Sequence, residues 1–165
     1  MKTFQSAAGL VQIKPIQVKY AAPLFQAIVD SRPAIGDFLP WAMDLSLKDE
    51  KDFLLREKNR QFEGQPLVFA LVVAGQPVGM LDLHAVNEAK RSAEIGYWIS
   101  QQYQNQGIVS RAVELISEHA LTRLALGRLV LRIKEENQAS RRVAEKAGFI
   151  ETGLVDDFLC YERCQ

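Results

Sequence analysis

Ala93-Glu94-Ile95-Gly96-Tyr97-Trp98-Ile99-Ser100 leads directly into Gln101-Gln102-Tyr103-Gln104-Asn105-Gln106-Gly107 and then Ile108-Val109-Ser110-Arg111-Ala112. The first eight residues are apolar-rich and read as a strand. Gln101 to Gln106 is a polar turn, and the run from Ile108 to about Arg123 has helical spacing. A strand, a tight polar loop and a helix start leave several backbone N–H groups unpaired and pointing one way, with the positive end of the helix dipole behind them. Such a place binds phosphate. Gly107 lets a ligand come close to the backbone. The plain alternative is an ordinary turn between a strand and a helix.

Upstream of this stretch, Leu10-Val11-Gln12-Ile13-Lys14 alternates as a half-buried strand does, and Pro15 ends it. Val18 to Asp30 carries Tyr20, Leu24 and Ile28 at helical spacing, with Pro23 early and Ser31-Arg32-Pro33 as the break. Ser46 is a candidate N-cap, with Asp49 and Glu50 favourable in the first turn, for a helix expected to end near Glu63-Gly64. Pro66 to Ala74 reads as a buried strand. Gly75-Gln76 is expected as the hairpin turn into a partner strand from Pro77 to Val86.

Downstream, Arg128 to Lys134 alternates again. Asn137 to Lys146 is a helix closed by Gly148, and Phe149 to about Tyr161 is one extended segment. The order is β-α-α-β-β-β-α-β-α-β. It predicts an α/β fold with a mixed, mostly antiparallel sheet flanked by helices.

The 165 residues are most simply one domain, residues 1–165, with room for a core. Twenty basic residues balance twenty acidic ones. That argues against a strongly basic nucleic-acid grip and against strong electrostatic steering of a partner. Cys160 and Cys164 stand alone near the C-terminus, so neither a zinc site nor a disulfide framework is expected. Reduced thiols in the cytoplasm are the default. Met1 to Gln12 lacks a signal peptide's apolar core, and nothing approaches a transmembrane span. No metal, membrane or nucleic-acid partner is expected.

Gln104-Asn105-Gln106-Gly107-Ile108-Val109 resembles the Q/R-x-x-G-x-G/A pyrophosphate loop of the GNAT acetyltransferase superfamily, with Val109 where Gly or Ala is usual. Ile95-Gly96-Tyr97-Trp98 before it, Gln106 to Ser110 within it, and Asn137-Gln138-Ala139-Ser140 with Ala147-Gly148-Phe149 after it resemble the RimJ/RimL branch, which acetylates ribosomal-protein N-termini. The resemblance covers roughly residues 10 to 155 and implies acetyl-CoA as cofactor. It also implies a sixth strand, a turn and a seventh strand beside it. With the last segment read as continuous, the seventh strand is expected to be missing or truncated, or its place taken by another chain.

Acetyl transfer needs a held cofactor, a neutral amine, a stabilised thioester oxygen and a proton for the leaving thiolate. By resemblance, Gln106, Gly107, Ile108, Val109, Ser110 and Arg111 form the pyrophosphate cradle and Gln104 braces it. Arg111 reads equally as a solvated helix residue. Trp98, Ile99 and Ser100 would pair with the pantetheine arm, where the fourth and fifth strands splay, and supply a donor to the thioester oxygen. Asn137 is implied on the pantetheine arm and Ser140 as proton donor near the sulfur. Asn137 is also a good N-cap by type.

For the base, alternation puts Glu94 on one face with Gly96, Trp98 and Ser100, while His84 lies on the third strand. Either can take a proton through water. No dedicated base is a third option, because an α-amine has a reference pKa near ~8 against about 10.4 for lysine. Phe38, Leu39, Trp41 and Met43 resemble the acceptor-side wall of this branch, and plain core packing explains them equally well.

The expected activity is direct acetyl transfer to a primary amine, foremost a ribosomal-protein N-terminus. Neither cysteine lies in the matched motifs, which disfavours a covalent acetyl-enzyme. A small-amine enzyme acting on a polyamine, amino acid or antibiotic stays open, as do a non-catalytic acyl-CoA-binding module and a homodimer.

Overall fold

The computed structural model describes residues 2–165. Ten strands and four α-helices follow one another, with three short 3-10 turns between them. Eight strands are hydrogen-bonded in the order β1-β2-β5-β6-β7-β8-β10-β9: Lys2–Ser6, Gly9–Pro15, Val68–Val73, Gln76–Asn87, Ser92–Ile99, Arg128–Lys134, Phe158–Cys164 and Ile150–Val155. Contacts gather the chain into two compact units. One holds the chain up to Leu81 together with Tyr97–Ile108; the other holds Asp82–Gly96 with Val109–Gln165.

In the first unit, β1 and β2 form an antiparallel hairpin from Lys2↔Ile13 to Ser6↔Gly9, and β2 pairs with β5. The β1 residues Lys2 to Ser6 are mostly polar and carry no apolar alternation, so this strand is legible only through its partner. Helix α1, Ala21–Ile35, buries Ala21, Leu24, Ile28, Ser31 and Ile35 in one stripe.

Contrary to expectation, Ser31-Arg32-Pro33 does not break α1. The N–H missing at Pro33 leaves one carbonyl without its helical donor. Tertiary bonds hold the turn instead. The Ser31 hydroxyl accepts the Gln101 N–H, and Arg32 donates to the carbonyls of Ala42 and Leu45.

Ser46 caps α2, Leu47–Glu57, in a full capping box: its hydroxyl accepts the Asp49 N–H and the Asp49 carboxylate accepts the Ser46 N–H. The helix stops at Glu57, short of the expected Gly64. Residues 61–66 instead form a small hairpin of β3, Gln61–Phe62, and β4, Gln65–Pro66, around left-handed Glu63 and Gly64. Strand β5 is buried along its length. Its turn into β6 is Ala74–Gly75, both left-handed at φ 50° and 80°, one residue earlier than predicted.

In the second unit, β8 pairs antiparallel with β10 from Arg128↔Cys164 to Lys134↔Phe158. It pairs parallel with β7 over three residues, Ser92↔Arg128 to Glu94↔Val130. Arg91 fixes this start: its carbonyl accepts the N–H groups of Gly127 and Arg128, and its guanidinium donates to the carbonyls of Leu124 and Ala125. Helix α3, Ile108–Thr122, is the crossover between the parallel strands. Helix α4, Gln138–Lys146, ends in a Schellman motif: Gly148, at φ 83°, donates to Glu145 and Phe149 donates to Ala144.

The expected missing strand is present. Residues 149–161 are not one extended segment. They bend at Asp156-Asp157, at φ 50° and 68°, so β9 and β10 form a hairpin with a bulge at Cys160/Tyr161. Aspartate tolerates left-handed backbone and supports a two-residue turn, so two strands fit where one was read. The last strand in sequence lies between β8 and β9.

Two expectations follow from the packing of the first unit. A Cβ on Gly79 would collide with the Trp98 carbonyl oxygen and lie 3.0 Å from the Ile99 Cα. Gly79→Ala is therefore expected to cost about 2 kcal/mol in urea denaturation, as overpacking does. Glu50 is 3% exposed on α2, and its Oε1 has no hydrogen-bond partner among the described residues. Burial pushes its carboxyl up from 4.5 to about 7. Between those values the folded chain keeps a proton that the unfolded chain has released. Stability then falls as pH rises through this window and levels off above it. Glu50→Gln is expected to flatten that dependence in urea melts, with a gain of about 3 kcal/mol at pH 8 and little change at pH 4.

Candidate active site

The loop between β7 and α3 is built from alternating backbone hand. Gln101–Tyr103 makes one 3-10 turn, then Asn105 and Gly107 take φ 60° and 74° on either side of Gln106. Successive N–H groups in such a segment converge on one point. Helix α3 begins immediately afterwards, and its first-turn N–H groups have no intrahelical acceptor. No acidic residue lies in that turn. A Cβ at Gly107 would meet nothing within 4 Å, so glycine serves the left-handed backbone there and the space before it is open. These features fit the diphosphate of coenzyme A.

The Gln106 side chain braces the loop by donating to the Gln102 carbonyl. Gln104, expected in that role, contributes its backbone N–H to Gln101. Ile108 and Val109 are buried, and Ser110 is half-buried. Arg111 is exposed and ion-paired with Glu114 one turn on. Trp98, Ile99 and Ser100 are buried, and the Ser100 N–H donates to the Val78 carbonyl at 2.7 Å. That amide is already engaged.

In the second unit, His84 and Glu94 are partners rather than alternatives. His84 Nε2 lies 3.3 Å from Glu94 Oε2, and Nδ1 lies 2.9 Å from Asp82 Oδ2. Glu94 Oε1 is 3.8 Å from Arg132 Nη1. The ring's hydrogen bond to the Asp82 carboxylate leads the causes that raise the His84 pKa above its ordinary 6.5; the charges of Asp82 and Glu94 and the contact with Glu94 add to it, and burial opposes it. Asp82 and Arg132 escaped the sequence reading. The available signal was period two: Asp82 and His84 share a face of β6, and Arg132 is a charged position within the alternating β8.

On α4 the Asn137 side chain is the N-cap, its Oδ1 accepting the Ser140 N–H at 3.2 Å. Ser140 is half-buried in the first turn of α4. Beside it, Arg141 donates to the Tyr161 hydroxyl, which in turn donates to Glu151. In the first unit, Phe38 and Leu39 are half-buried, whereas Trp41 and Met43 are 47% and 49% exposed around buried Ala42. Two of these four apolar residues therefore reach solvent, which core packing does not account for.

Among the described residues no helix is long and apolar enough to cross a membrane. The family model described as the acetyltransferase (GNAT) domain matches residues 11–150. The chain is 30% identical over 151 residues to YdaF of Bacillus subtilis, named as a ribosomal N-acetyltransferase, covering 90% of this chain and 82% of that one. It is 24% identical over 146 residues to the ribosomal-protein-serine acetyltransferase of Escherichia coli, covering 88% and 82%. The solved structure of Mycobacterium smegmatis RimJ in complex with CoA-disulfide superposes with a TM-score of 0.88 at 23% identity, covering 99% of this chain and 86% of that one, and so shares its fold. With the family model spanning most of its length, this chain belongs to the GNAT acetyltransferase family.

Proposed function

We propose that this chain is an acetyl-CoA-dependent N-acetyltransferase whose acceptor is a protein N-terminal α-amine. The observation that carries the reading is the loop before α3. Left-handed Asn105 and Gly107 lead directly into a helix N-terminus that has no acidic residue in its first turn. The names of YdaF and of the Escherichia coli relative, both ribosomal acetyltransferases, support the acceptor class.

The roles follow from what each residue offers. Gln106, Gly107, Ile108, Val109, Ser110 and Arg111 hold the diphosphate through backbone N–H groups, with the Ser110 hydroxyl at the helix start. Trp98 or Ile99 offers a main-chain donor to the thioester oxygen. Asn137 fixes the first turn of α4 and so orients Ser140, whose hydroxyl hydrogen-bonds the departing sulfur. Trp41 and Met43, with Phe38 and Leu39 behind them, give an apolar surface for the first side chains of an acceptor peptide.

Bound acetyl-CoA supplies an activated acyl group. The chain's task is to present a neutral amine to it in the right orientation. An α-amine with a reference pKa near ~8 yields far more neutral nucleophile at pH 7 than a lysine near about 10.4. This reading takes the activity as cytoplasmic, a compartment that suits two free cysteines.

The test is release of free thiol from acetyl-CoA against N-terminal peptides, lysine side chains and small amines including a polyamine. Peptide α-amines are expected to be the best acceptors. Ser140→Ala is expected to lower kcat about tenfold or more with little change in acetyl-CoA binding. Preference for a polyamine would move the acceptor to the small-amine class. Cofactor binding without turnover on any amine would leave a binding module.

A further inference from the structure

Four charged side chains from three neighbouring strands meet on one face of the second unit: Asp82 and His84 on β6, Glu94 on β7 and Arg132 on β8. Their contacts form a chain in which each ring nitrogen of His84 faces a different carboxylate. Gly96, two residues beyond Glu94, makes room for it. A Cβ there would lie 2.7 Å from Asp82 Oδ1 and 3.2 Å from His84 Cε1. The group also sits at a particular place in the sheet. Glu94↔Val130 is the last pair in the parallel register of β7 with β8, and Arg132 follows two residues further along β8. Glu94 and Arg132 open onto a cleft of about 350 Å³, whose walls also carry Lys90, Arg128 and Glu162. The His84 side chain is 40% exposed.

We propose that Asp82 is a positioning residue that makes His84 the base of the acetyltransferase, and that Glu94 is the anchor for the acceptor's ammonium. This rests on the function proposed above. Asp82 accepts the Nδ1–H, which fixes the tautomer with the lone pair on Nε2. Glu94 stands beside that nitrogen at 3.3 Å. An ammonium nitrogen about 2.8 Å from both Nε2 and Oε2, ordinary charge-assisted distances, completes a triangle on that edge.

The proton transfer then balances simply. One N–H bond of the ammonium breaks and its electron pair stays on the amine nitrogen. The proton bonds to Nε2, and the resulting imidazolium lies between two carboxylates. It then passes to water at the exposed ring edge. Arg132, lying over the Phe158 ring at 5.3 Å, keeps Glu94 from carrying an uncompensated charge once the amine is neutral. The groups facing the imidazole are Asp82 from β6 and Glu94 from β7, with Arg132 of β8 behind Glu94. The two carboxylates both raise the ring's pKa, which makes Nε2 a stronger proton acceptor.

The chain has two histidines, His84 and His119, so imidazole NMR resolves the matter without any acceptor present. Above its pKa, His84 is expected as the Nδ1–H tautomer in the parent. Asp82→Asn is expected to mix the tautomers and to lower the His84 pKa, while His119 is unmoved. In turnover with a peptide α-amine, Asp82→Asn is expected to lower kcat about tenfold with KM nearly constant, and to move the acid limb of the pH profile down together with the NMR value. Glu94→Gln is expected to raise the amine KM about tenfold with a smaller change in kcat. An Nε2–H tautomer in the parent would overturn the positioning role. So would an Asp82→Asn chain, folded by urea melt, whose His84 titration is unchanged. An acid limb that stays put while the NMR pKa moves would overturn His84 as the base. Turnover absent on every amine would remove the base assignment along with the function it rests on, and the NMR result would still decide what Asp82 does to His84.

Discussion

The clamp of Arg91 on the turn before β8 sets the parallel pairing of β7 with β8. Its carbonyl takes two N–H groups, from Gly127 and Arg128, and its guanidinium takes the carbonyls of Leu124 and Ala125. Strand β8 therefore starts beside the start of β7, and the two run parallel. Parallel neighbours cannot be joined by a tight turn, so the chain must return by a crossover. Helix α3 is that crossover, and its first turn must follow the carboxyl end of β7. A helix N-terminus at the carboxyl end of a parallel strand is where open α/β sheets bind anionic ligands. The electropositive helix start behind the loop is thus a consequence of topology, refined locally by left-handed Asn105 and Gly107.

The same short register accounts for the charged cluster. The parallel pairing of β7 with β8 ends at Glu94↔Val130, and side chains on the shared face meet solvent as well as each other. Asp82, His84, Glu94 and Arg132 can be charged there because none is fully buried and each has a partner of opposite sign. Glu50 shows the opposite case. It is enclosed on α2 with an unpartnered oxygen, and the chain tolerates it by keeping the proton.

Caps show how a single residue carries two duties. Asn137 satisfies the first turn of α4, a structural need of any helix. In doing so it fixes the backbone of Ser140, the residue proposed to face the leaving sulfur. Gly79 works likewise in the first unit. Its missing side chain admits the Trp98 carbonyl and sets the approach of β6 to the end of β7. Structural and functional readings of such residues do not compete, since the position of the reacting group depends on the cap or the contact.

Features set by near neighbours in the chain were legible in the sequence. The strand, polar loop and helix from Ala93 onward, the Ser46 N-cap, the Asn137 cap, the Gly148 stop and the alternation of Arg128 to Lys134 all depend on residues within one or two turns. Their energetics are nearly complete in a local window, so the residue types announce them. Features that needed a distant partner were not legible. Helix α1 passes Pro33 because Gln101, Ala42 and Leu45 supply bonds from elsewhere in the chain. Strand β1 exists because β2 pairs with it, and β10 inserts between β8 and β9 once the two aspartates turn the chain. The sequence placed His84 and Glu94 on separate strands as rival bases. Only sheet register, a sum of weak pairings over long separations, brought them to one face and joined them to Asp82 and Arg132.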